Sequence, residues 1–589
     1  MRSVPHAGVT ASRQQTVWPI WSRRVVADES GMKRTRLLSI AAFAVLGLGP
    51  VMVAGPQPAA AANRPVSVIV TAELGRVDLA VDAVAKVRGK VTRRLDIVGG
   101  VAATVDQRDL AGLRRVPGIR AVTPNQVVRP LGQTWNPYTD VGGPKNVSEI
   151  IGSSAYWNSG ITGRGVDVAL IDSGVRISDA LPANRVLFGP DLSFESQDPA
   201  KRNVDTYGHG THMAGLIAGR STGVSLSDPA SGFVGVAPDA RIVSIKVADK
   251  DGSTDVSQVI AAIDWVVANR NKNGLNIRVL NLSYGTDSTQ DVKIDPLSFA
   301  VDQAWRRGIV VVAASGNAGW ADKRGTMTNP ARTGTIIAVG ALGQTAAANP
   351  RAEDEIAAFS SNGSKSRRPD LVVPGKSIVS LRAPGSTIDT RNGATGYVND
   401  QLFRGSGTSQ ASAIVSGAAA LLIQQNPSAT PDSVKRALTE STVKLKKVKP
   451  EMQGKGALDL RMARNSSTIW TAGKPPKVSA TGGGSLDAAR GSARLSHDGI
   501  ELNGERDVFG KPYNGAIQAQ AELTLTAWAG GTWSGSTWSG STWSGSTWSG
   551  ATWSGSTWSG STWSGATWSG ATWSGSTWTG NVWSDAYWG

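Results

Sequence analysis

Residues 136–464 predict an α/β domain in which a parallel sheet is sandwiched by helices, and three observations carry that prediction. Short apolar runs of strand length alternate with amphipathic runs of helical length, the pattern of strands joined by crossover helices. The strand candidates are mostly β-branched and apolar with no strict alternation, which fits a sheet covered on both faces. The polar residues with chemical potential fall at strand ends and helix starts, where such sheets place their sites. The strand candidates are Val166–Ile171, Arg241–Val247, Val279–Ser283, Ile309–Ala314 and Thr335–Val339. The helical runs are Thr211–Ala218, Val256–Asn269, Ser298–Arg307, Ser409–Gln425 and Pro431–Glu440.

Four further segments surround this domain. Residues 1–62 form a leader. Within it Met32-Lys33-Arg34-Thr35-Arg36 is a basic start, Leu37 to Ala54 an apolar stretch and Ala60-Ala61-Ala62 a small-residue cleavage site, so it reads as an export signal. An uncleaved anchor is the alternative reading. The signal predicts a secreted, extracellular protein. Residues 63–135 contain two β-α-β passes and predict a small ferredoxin-like α+β unit. Its strands are expected at Val66–Val70, Gly100–Val105 and Ile119–Pro124, and its helices at Leu79–Val87 and Gln107–Arg115. Residues 465–526, rich in Gly, Ser and Ala, read as a linker with little core potential. Residues 527–589 are a low-complexity repeat of the type Thr-Trp-Ser-Gly, in which Trp recurs every five positions from Trp528 to Trp588.

Composition removes several function classes. The 589 residues contain no cysteine, so no disulfide framework, thiolate metal site or cysteine nucleophile can operate. The formal charge of +16 is concentrated in Arg and Lys of the first 130 residues and lacks the character of a nucleic-acid groove. The Trp repeat also speaks against nucleic acid. After Glu522 only Asp585 and Tyr587 are ionisable, and aromatic stacking on single strands needs a cationic groove beside it. Such a tail reads either as a flexible extension or as a surface that meets cell wall, glycan or membrane.

Three segments supply the parts of a nucleophilic hydroxyl. Serine is a weak nucleophile and needs a base, itself oriented by a third group. The strand Val168-Ala169-Leu170-Ile171 ends in the carboxylate of Asp172; Gly208-His209-Gly210-Thr211-His212 opens a helix with an imidazole; and Gly405-Ser406-Gly407-Thr408-Ser409 opens another with a hydroxyl at its positive end. Singly, a strand-end Asp is a turn cap and a helix-start Ser an N-cap. Together, in the order Asp172, His209, Ser409, they resemble the subtilisin (subtilase) family of serine proteases, peptidase family S8, across residues 136–464.

The resemblance implies a subtilisin-like fold and a serine endopeptidase acting on protein and peptide substrates. Ser409 would be the nucleophile, His209 the base and Asp172 the orienting acid. Asn317, in Ala314-Ser315-Gly316-Asn317, would donate to the oxyanion. Ser283-Tyr284-Gly285 and Ala314-Ser315-Gly316 would line the two walls that hold the substrate residue preceding the cut, with broad, uncharged preference. The family usually has Met-Ala, a Pro and a His after the nucleophile. Here Gln410-Ala411, Ala413 and Ile414 stand there, and are read as altering packing behind Ser409. No cofactor is required for this chemistry. The family allows a structural Ca2+, which the sequence does not locate; Asp179, Asp191 and Asp205 are read as solvated carboxylates. His212 is read as structural. Residues 63–135 resemble an inhibitor-like propeptide, which implies an autoprocessed zymogen cut between Asn125 and Asp140.

Overall fold

The computed structural model describes residues 65–529, apart from 74, 126–134, 197, 321–324, 346–353, 465–479 and 498–499, together with 532–534, 536–537 and 578–579. The export signal, most of the expected cleavage segment and nearly all of the Trp repeat lie outside the described residues.

The chain divides into two compact units after Asn125. In the first, β1 (Pro65–Ala72), α1 (Val77–Lys86), β2 (Lys90–Leu95), β3 (Gly100–Asp106), α2 (Leu110–Leu113) and β4 (Ile119–Pro124) follow in order. The sheet order is β2-β3-β1-β4, with every neighbouring pair antiparallel. This is the split β-α-β arrangement expected of the segment. Strand β2 was not foreseen, because Lys90-Val91-Thr92-Arg93-Arg94-Leu95 buries almost none of its side chains and shows no apolar signal. The core of the unit is small: Val68, Val70, Ala80, Val84, Val101, Ala103, Val105 and Leu113.

The second unit begins with α3 (Pro144–Ile151) and α4 (Ser154–Trp157) and continues through β5 (Asp167–Asp172), β6 (Val186–Asp191), α5 (His209–Ala218), β7 (Arg241–Lys246), α6 (Val256–Asn269), β8 (Ile277–Leu282), α7 (Pro296–Arg306) and β9 (Val310–Ala314). Then come β10 (Ile337–Gly343), β11 (Glu355–Ile356), β12 (Leu371–Pro374), β13 (Ile378–Leu381), α8 (Thr387–Gly396), β14 (Leu402–Gly405), α9 (Thr408–Gln425), α10 (Pro431–Glu440), β15 (Thr442–Val443), α11 (Pro450–Gln453), β16 (Ala457–Leu458) and α12 (Leu460–Arg464). The large sheet has the order β15-β16-β12-β10-β9-β8-β5-β7-β6. All pairs from β16 to β6 are parallel; only β15 and the side strand β11 run antiparallel. Its central strands are buried along their whole length, which is why they read as unbroken apolar runs.

Local chemistry explains where the helices start. Asp255 caps α6 in a reciprocal capping box with Gln258, and Asp295 and Thr430 cap α7 and α10, each followed by proline at the first helical position. Helix α9 is almost entirely buried and packs on α5 and on β8, β9, β10 and β12. Its small residues permit that closeness. A Cβ on Gly417 would lie 2.7 Å from Val236 Cβ and 3.2 Å from the Ile217 carbonyl.

The linker expected over residues 465–526 requires a correction: residues 465–479 lie outside the described residues, but the described residues from 480 onward, with the start of the repeat, do not behave as a linker. They form α13 (Leu486–Arg490), β17 (Arg494–His497), β18 (Ile500–Glu501), α14 (Gly515–Thr524), β19 (Trp528–Ala529) and β20 (Thr532–Trp533). Leu486, Ala489, Leu495, Leu502, Val508, Phe509 and Trp533 join the main hydrophobic core. These residues are too widely and irregularly spaced to show a helical or strand period, so the segment reads as polar while it buries a side chain every few positions.

Candidate active site

Parallel pairing of β5 between β7 and β8 brings Asp172 to the carboxyl end of the sheet. The turn that follows is tight, with Gly174 at φ 107°, a conformation suited to glycine. The carboxylate of Asp172 accepts the Ser173 N–H at 2.8 Å, and His209 Nδ1 lies 2.8 and 3.0 Å from its two oxygens. Both side chains are buried, at 5% and 1% exposure for His209 and Asp172. A carboxylate only accepts, so this contact is made when Nδ1 carries the proton, which leaves Nε2 as the acceptor.

His209 is the first residue of α5, preceded by Gly208 at φ 109°. Gly208 supplies no side-chain cap. The cap comes from Asp205, one turn of chain upstream, whose carboxylate accepts the Gly208 and Thr211 N–H groups at 2.6 and 2.7 Å.

Ser409 is the second residue of α9, where backbone N–H groups lack helical partners and the helix end is positive. Asn317 follows β9 and meets the same helix start. The Thr408 N–H and hydroxyl donate to Asn317 Oδ1 at 2.9 and 3.0 Å. Because an N–H can only donate, these bonds fix which amide atom faces Thr408 and turn Nδ2 the other way. Nδ2 faces the space beside Gly407: a Cβ there would lie 3.3 Å from Asn317 Nδ2 and 3.6 Å from the Ser409 nitrogen. Two N–H donors therefore border one small space next to Ser409. Gln410 borders it too, its Oε1 lying 2.7 Å from the same Cβ position, which corrects its expected place behind the helix.

The residues expected to form the substrate walls are placed as follows. The Ser283 hydroxyl turns inward, hydrogen bonded with Ser412 Oγ at 3.1 Å and accepting from Asn281 Nδ2 at 3.0 Å. The Tyr284 ring is buried as well, so backbone, not side chains, is what this stretch presents. Ala314 and Ser315 are buried, and the Gly316 N–H donates to Thr408 Oγ1 at 3.1 Å. A residue that sequence reasoning missed stands between the two glycines. A Cβ on Gly285 would meet Thr328 Oγ1 at 2.3 Å, and one on Gly316 would meet Thr328 Cγ2 at 2.9 Å. Pairing of Thr286 with Asn329, through reciprocal 2.8 Å backbone bonds, and donation by the Thr328 N–H to the Ser315 carbonyl at 3.0 Å bring Thr328 there, and no local sequence signal announces it.

His212 lies one helical turn from His209 and is fully buried; burial, with His209 adding, pushes its imidazole down to about 3. It is therefore neutral across the physiological range, with one ring nitrogen protonated and the other bare. Of the three aspartates read as solvated, Asp179 is exposed, whereas Asp191 and Asp205 are buried. Asp191 accepts from Ser193 N and Oγ and from Asn203 N, at 2.6 to 2.9 Å. The carbonyls of Lys201 and Val204 are occupied by the Lys246 ammonium, which also meets Glu195 at 2.7 Å. These acceptors are filled by the chain's own donors and do not fit a calcium ion. Among the described residues no cluster of three His, Asp or Glu side chains is arranged for a metal.

The profile of the subtilase family, Peptidase_S8, matches residues 163–459. Serine protease AprX of Bacillus subtilis is 37% identical over 305 residues, which cover 51% of this chain and 66% of that protein. Subtilisin E of the same organism is 33% identical over 368 residues, covering 61% of this chain and 80% of the relative. A crystal structure of a cold adapted subtilisin-like serine proteinase aligns at 28% identity with a TM-score of 0.37, over 51% of this chain and 88% of that one. With the profile spanning half the chain and four fifths of Subtilisin E aligned, the chain belongs to the subtilase family of serine proteases, and its mainly parallel sheet with flanking helices is the subtilisin-like fold.

Proposed function

We propose that this protein is a secreted serine endopeptidase that cuts peptide bonds through Asp172, His209 and Ser409 and an acyl-enzyme intermediate. The observation that carries the reading is the buried His209–Asp172 contact, which leaves Nε2 as the base, together with the pair of donors beside Ser409. In the first step Ser409 Oγ attacks the scissile carbonyl while Nε2 takes its proton; the imidazolium then returns that proton to the leaving amine. Water repeats the sequence on the acyl-enzyme. Charge on the tetrahedral oxygen is met by Asn317 Nδ2 and the Ser409 N–H, a pair of which one member is worth about 10²–10³ in rate. Ser283–Gly285 and Ala314–Gly316 hold the substrate backbone on either side, a mode that gives affinity with little sequence reading.

The precursor reading belongs to the same proposal. Residues 63–135 act as an intramolecular inhibitor and folding aid, released by the enzyme's own cut. A separately packed unit with its own core supports it. The basic and apolar leader supports export, and no helix among the described residues is long and apolar enough to cross a membrane. The reading of the repeat beyond Thr537 as an extension for a cell-wall, glycan or membrane surface rests on its composition of regular indoles and almost no charge.

One variant tests the proposal on two readouts. Ser409→Ala is expected to lose peptide hydrolysis and to accumulate the unprocessed chain in the producing cell. Wild-type hydrolysis by the purified variant would overturn the catalytic reading; normal processing with hydrolysis lost would overturn only the self-cleavage.

A further inference from the structure

Asp205 is a buried carboxylate outside the proposed triad, and its bonding is unusual in being complete. Oδ1 accepts from the Ser173 hydroxyl at 2.8 Å and the Gly208 N–H at 2.6 Å. Oδ2 accepts from the Thr211 N–H at 2.7 Å and the Thr211 hydroxyl at 2.6 Å. Each hydroxyl, having given its proton to Asp205, accepts a backbone N–H in turn. Ser173 Oγ accepts from Gly210 at 2.9 Å and Thr211 Oγ1 accepts from Arg176 at 3.0 Å.

The result is a closed network with residues 173–176 on one side and 208–211 on the other. The first group is the turn that carries Asp172; the second is the helix start that carries His209. The two segments touch without slack, since a Cβ on Gly210 would stand 2.1 Å from the Gly174 carbonyl and 3.1 Å from Asp172 Oδ1. A small displacement of one segment therefore changes the contact between imidazole and acid directly.

Asp205 is itself held from behind. Asn203 N–H donates to Asp191 Oδ2 at 2.8 Å, Lys246 Nζ donates to the Val204 carbonyl at 2.6 Å, and Thr206 Oγ1 donates to Glu195 Oε2 at 2.5 Å. The loop is pinned on both sides of Asp205 before the carboxylate makes any of its four bonds.

We propose that Asp205 is a positioning residue for catalysis: by binding the turn after β5 to the first turn of α5, its carboxylate sets the place of His209 relative to Asp172. The proposal rests on the triad reading above. Four donors converge on this group, so its acceptor-only form is the one that satisfies all of them. Burial pushes the Asp205 carboxyl up, and the bonds from Thr211, Gly208 and Ser173 oppose that rise. An amide at this position faces one pair of donors with an NH2 group, so the network cannot be rebuilt by asparagine.

A plain helix cap and a positioning group differ in what they do to turnover. The test measures kcat and KM of Asp205→Asn on a peptide substrate, with active enzyme counted by fluorophosphonate titration. Misplacement of a catalytic pair by a fraction of its contact distance predicts a fall in kcat per titrated site of about 10²-fold. KM is expected to stay within about twofold, because the substrate walls are untouched. Thr211→Val, which removes one donor and the acceptor for Arg176, should lower kcat per site in the same direction, and Thr211→Ser should restore it. Unchanged kcat per site in Asp205→Asn, with only melting temperature lowered, would reduce Asp205 to a cap and overturn the proposal. If Asp205→Asn does not fold, equal kcat per site in Thr211→Val and Thr211→Ser overturns it instead. Failure of the triad reading is separate, since it would appear as activity in Ser409→Ala.

Discussion

Thr328 stands beside both Gly285 and Gly316, its Oγ1 and Cγ2 occupying the space that a side chain at either position would need. On the proposed reading this slot receives the substrate residue before the cut, so small side chains such as Ala or Ser are favoured there. Thr328→Gly is expected to raise kcat/KM for substrates with Phe or Leu at that position by tenfold or more relative to Ala, since a few buried methylene groups are worth about 1–3 kcal/mol. A peptide series differing only at that residue checks it; an unchanged ranking would show that the slot is not the recognition pocket. Residues of this kind mark the limit of sequence reading. Asp172, His209 and Ser409 were legible because each sits in a short segment of fixed chemistry: strand end, helix start, helix start. Asn317 was legible from its neighbours. Thr328 and Asp205 were not, because their roles come from which distant atoms meet them. Asp205 looks like any loop carboxylate until four donors from residues 173, 208 and 211 are seen converging on it.

Among the elements, α6 shows how the C-terminal segment is held. At its start, Arg490 and Asp255 form a buried ion pair at 2.7 Å; burial alone would raise the Asp255 carboxyl, but Arg490 holds it below its ordinary value. Further along, Trp528 Nε1 donates to the Ala261 carbonyl at 3.0 Å, and the fully buried Trp533 donates to Asp264 at 2.6 Å. The first two repeat tryptophans are thus part of the folded body. Trp533→Ala is expected to destabilise it by about 3–5 kcal/mol. The same site predicts a pH effect. Burial pushes Asp264 up to about 8, against the pull of Trp533 and Gln518, and pushes Glu522 well up, with Asp264 adding. Tyr513, Glu505 and Asp295 are the other ionisable groups facing this cluster, and Arg307 bonds the adjacent Leu523 carbonyl at 2.6 Å.

Since the folded value of Asp264 lies above the unfolded one, its stabilising effect is complete below the ordinary carboxylate range. It is lost as pH rises through about 8. Hydrogen exchange in residues 515–529 should accelerate beyond its intrinsic rise as pH climbs from about 4 to about 8 and level off above that, and Asp264→Asn should lessen the excess. Equal excess in both proteins would contradict this. Strands β5, β7, β8, β9 and β10 and helices α5, α6, α7, α9 and α10 were legible from apolar runs and period; β6, broken by Gly189 and Pro190, and the short β12, β15 and β16 were not, nor was this segment, because its buried residues follow no period.

For the whole molecule, the large parallel sheet joins strands far apart in sequence, such as β12 with β16 and β5 with β8. Sheets of this kind form slowly, because distant segments must meet before any contact is gained. That is the physical reason to read the separately cored N-terminal unit as a folding aid. The same topology gathers Asp172, His209, Asn317 and Ser409 from four distant segments to the carboxyl ends of the strands and the starts of two packed helices.

If the Ser409 hydroxyl is the group activated at that edge, covalent capture by an electrophile falls on it. Mature enzyme is treated with a fluorophosphonate, digested and mapped by mass spectrometry. One adduct per molecule is expected, on Ser409, and it is lost in His209→Ala. An adduct on another residue, or none in enzyme that hydrolyses peptides, would contradict it.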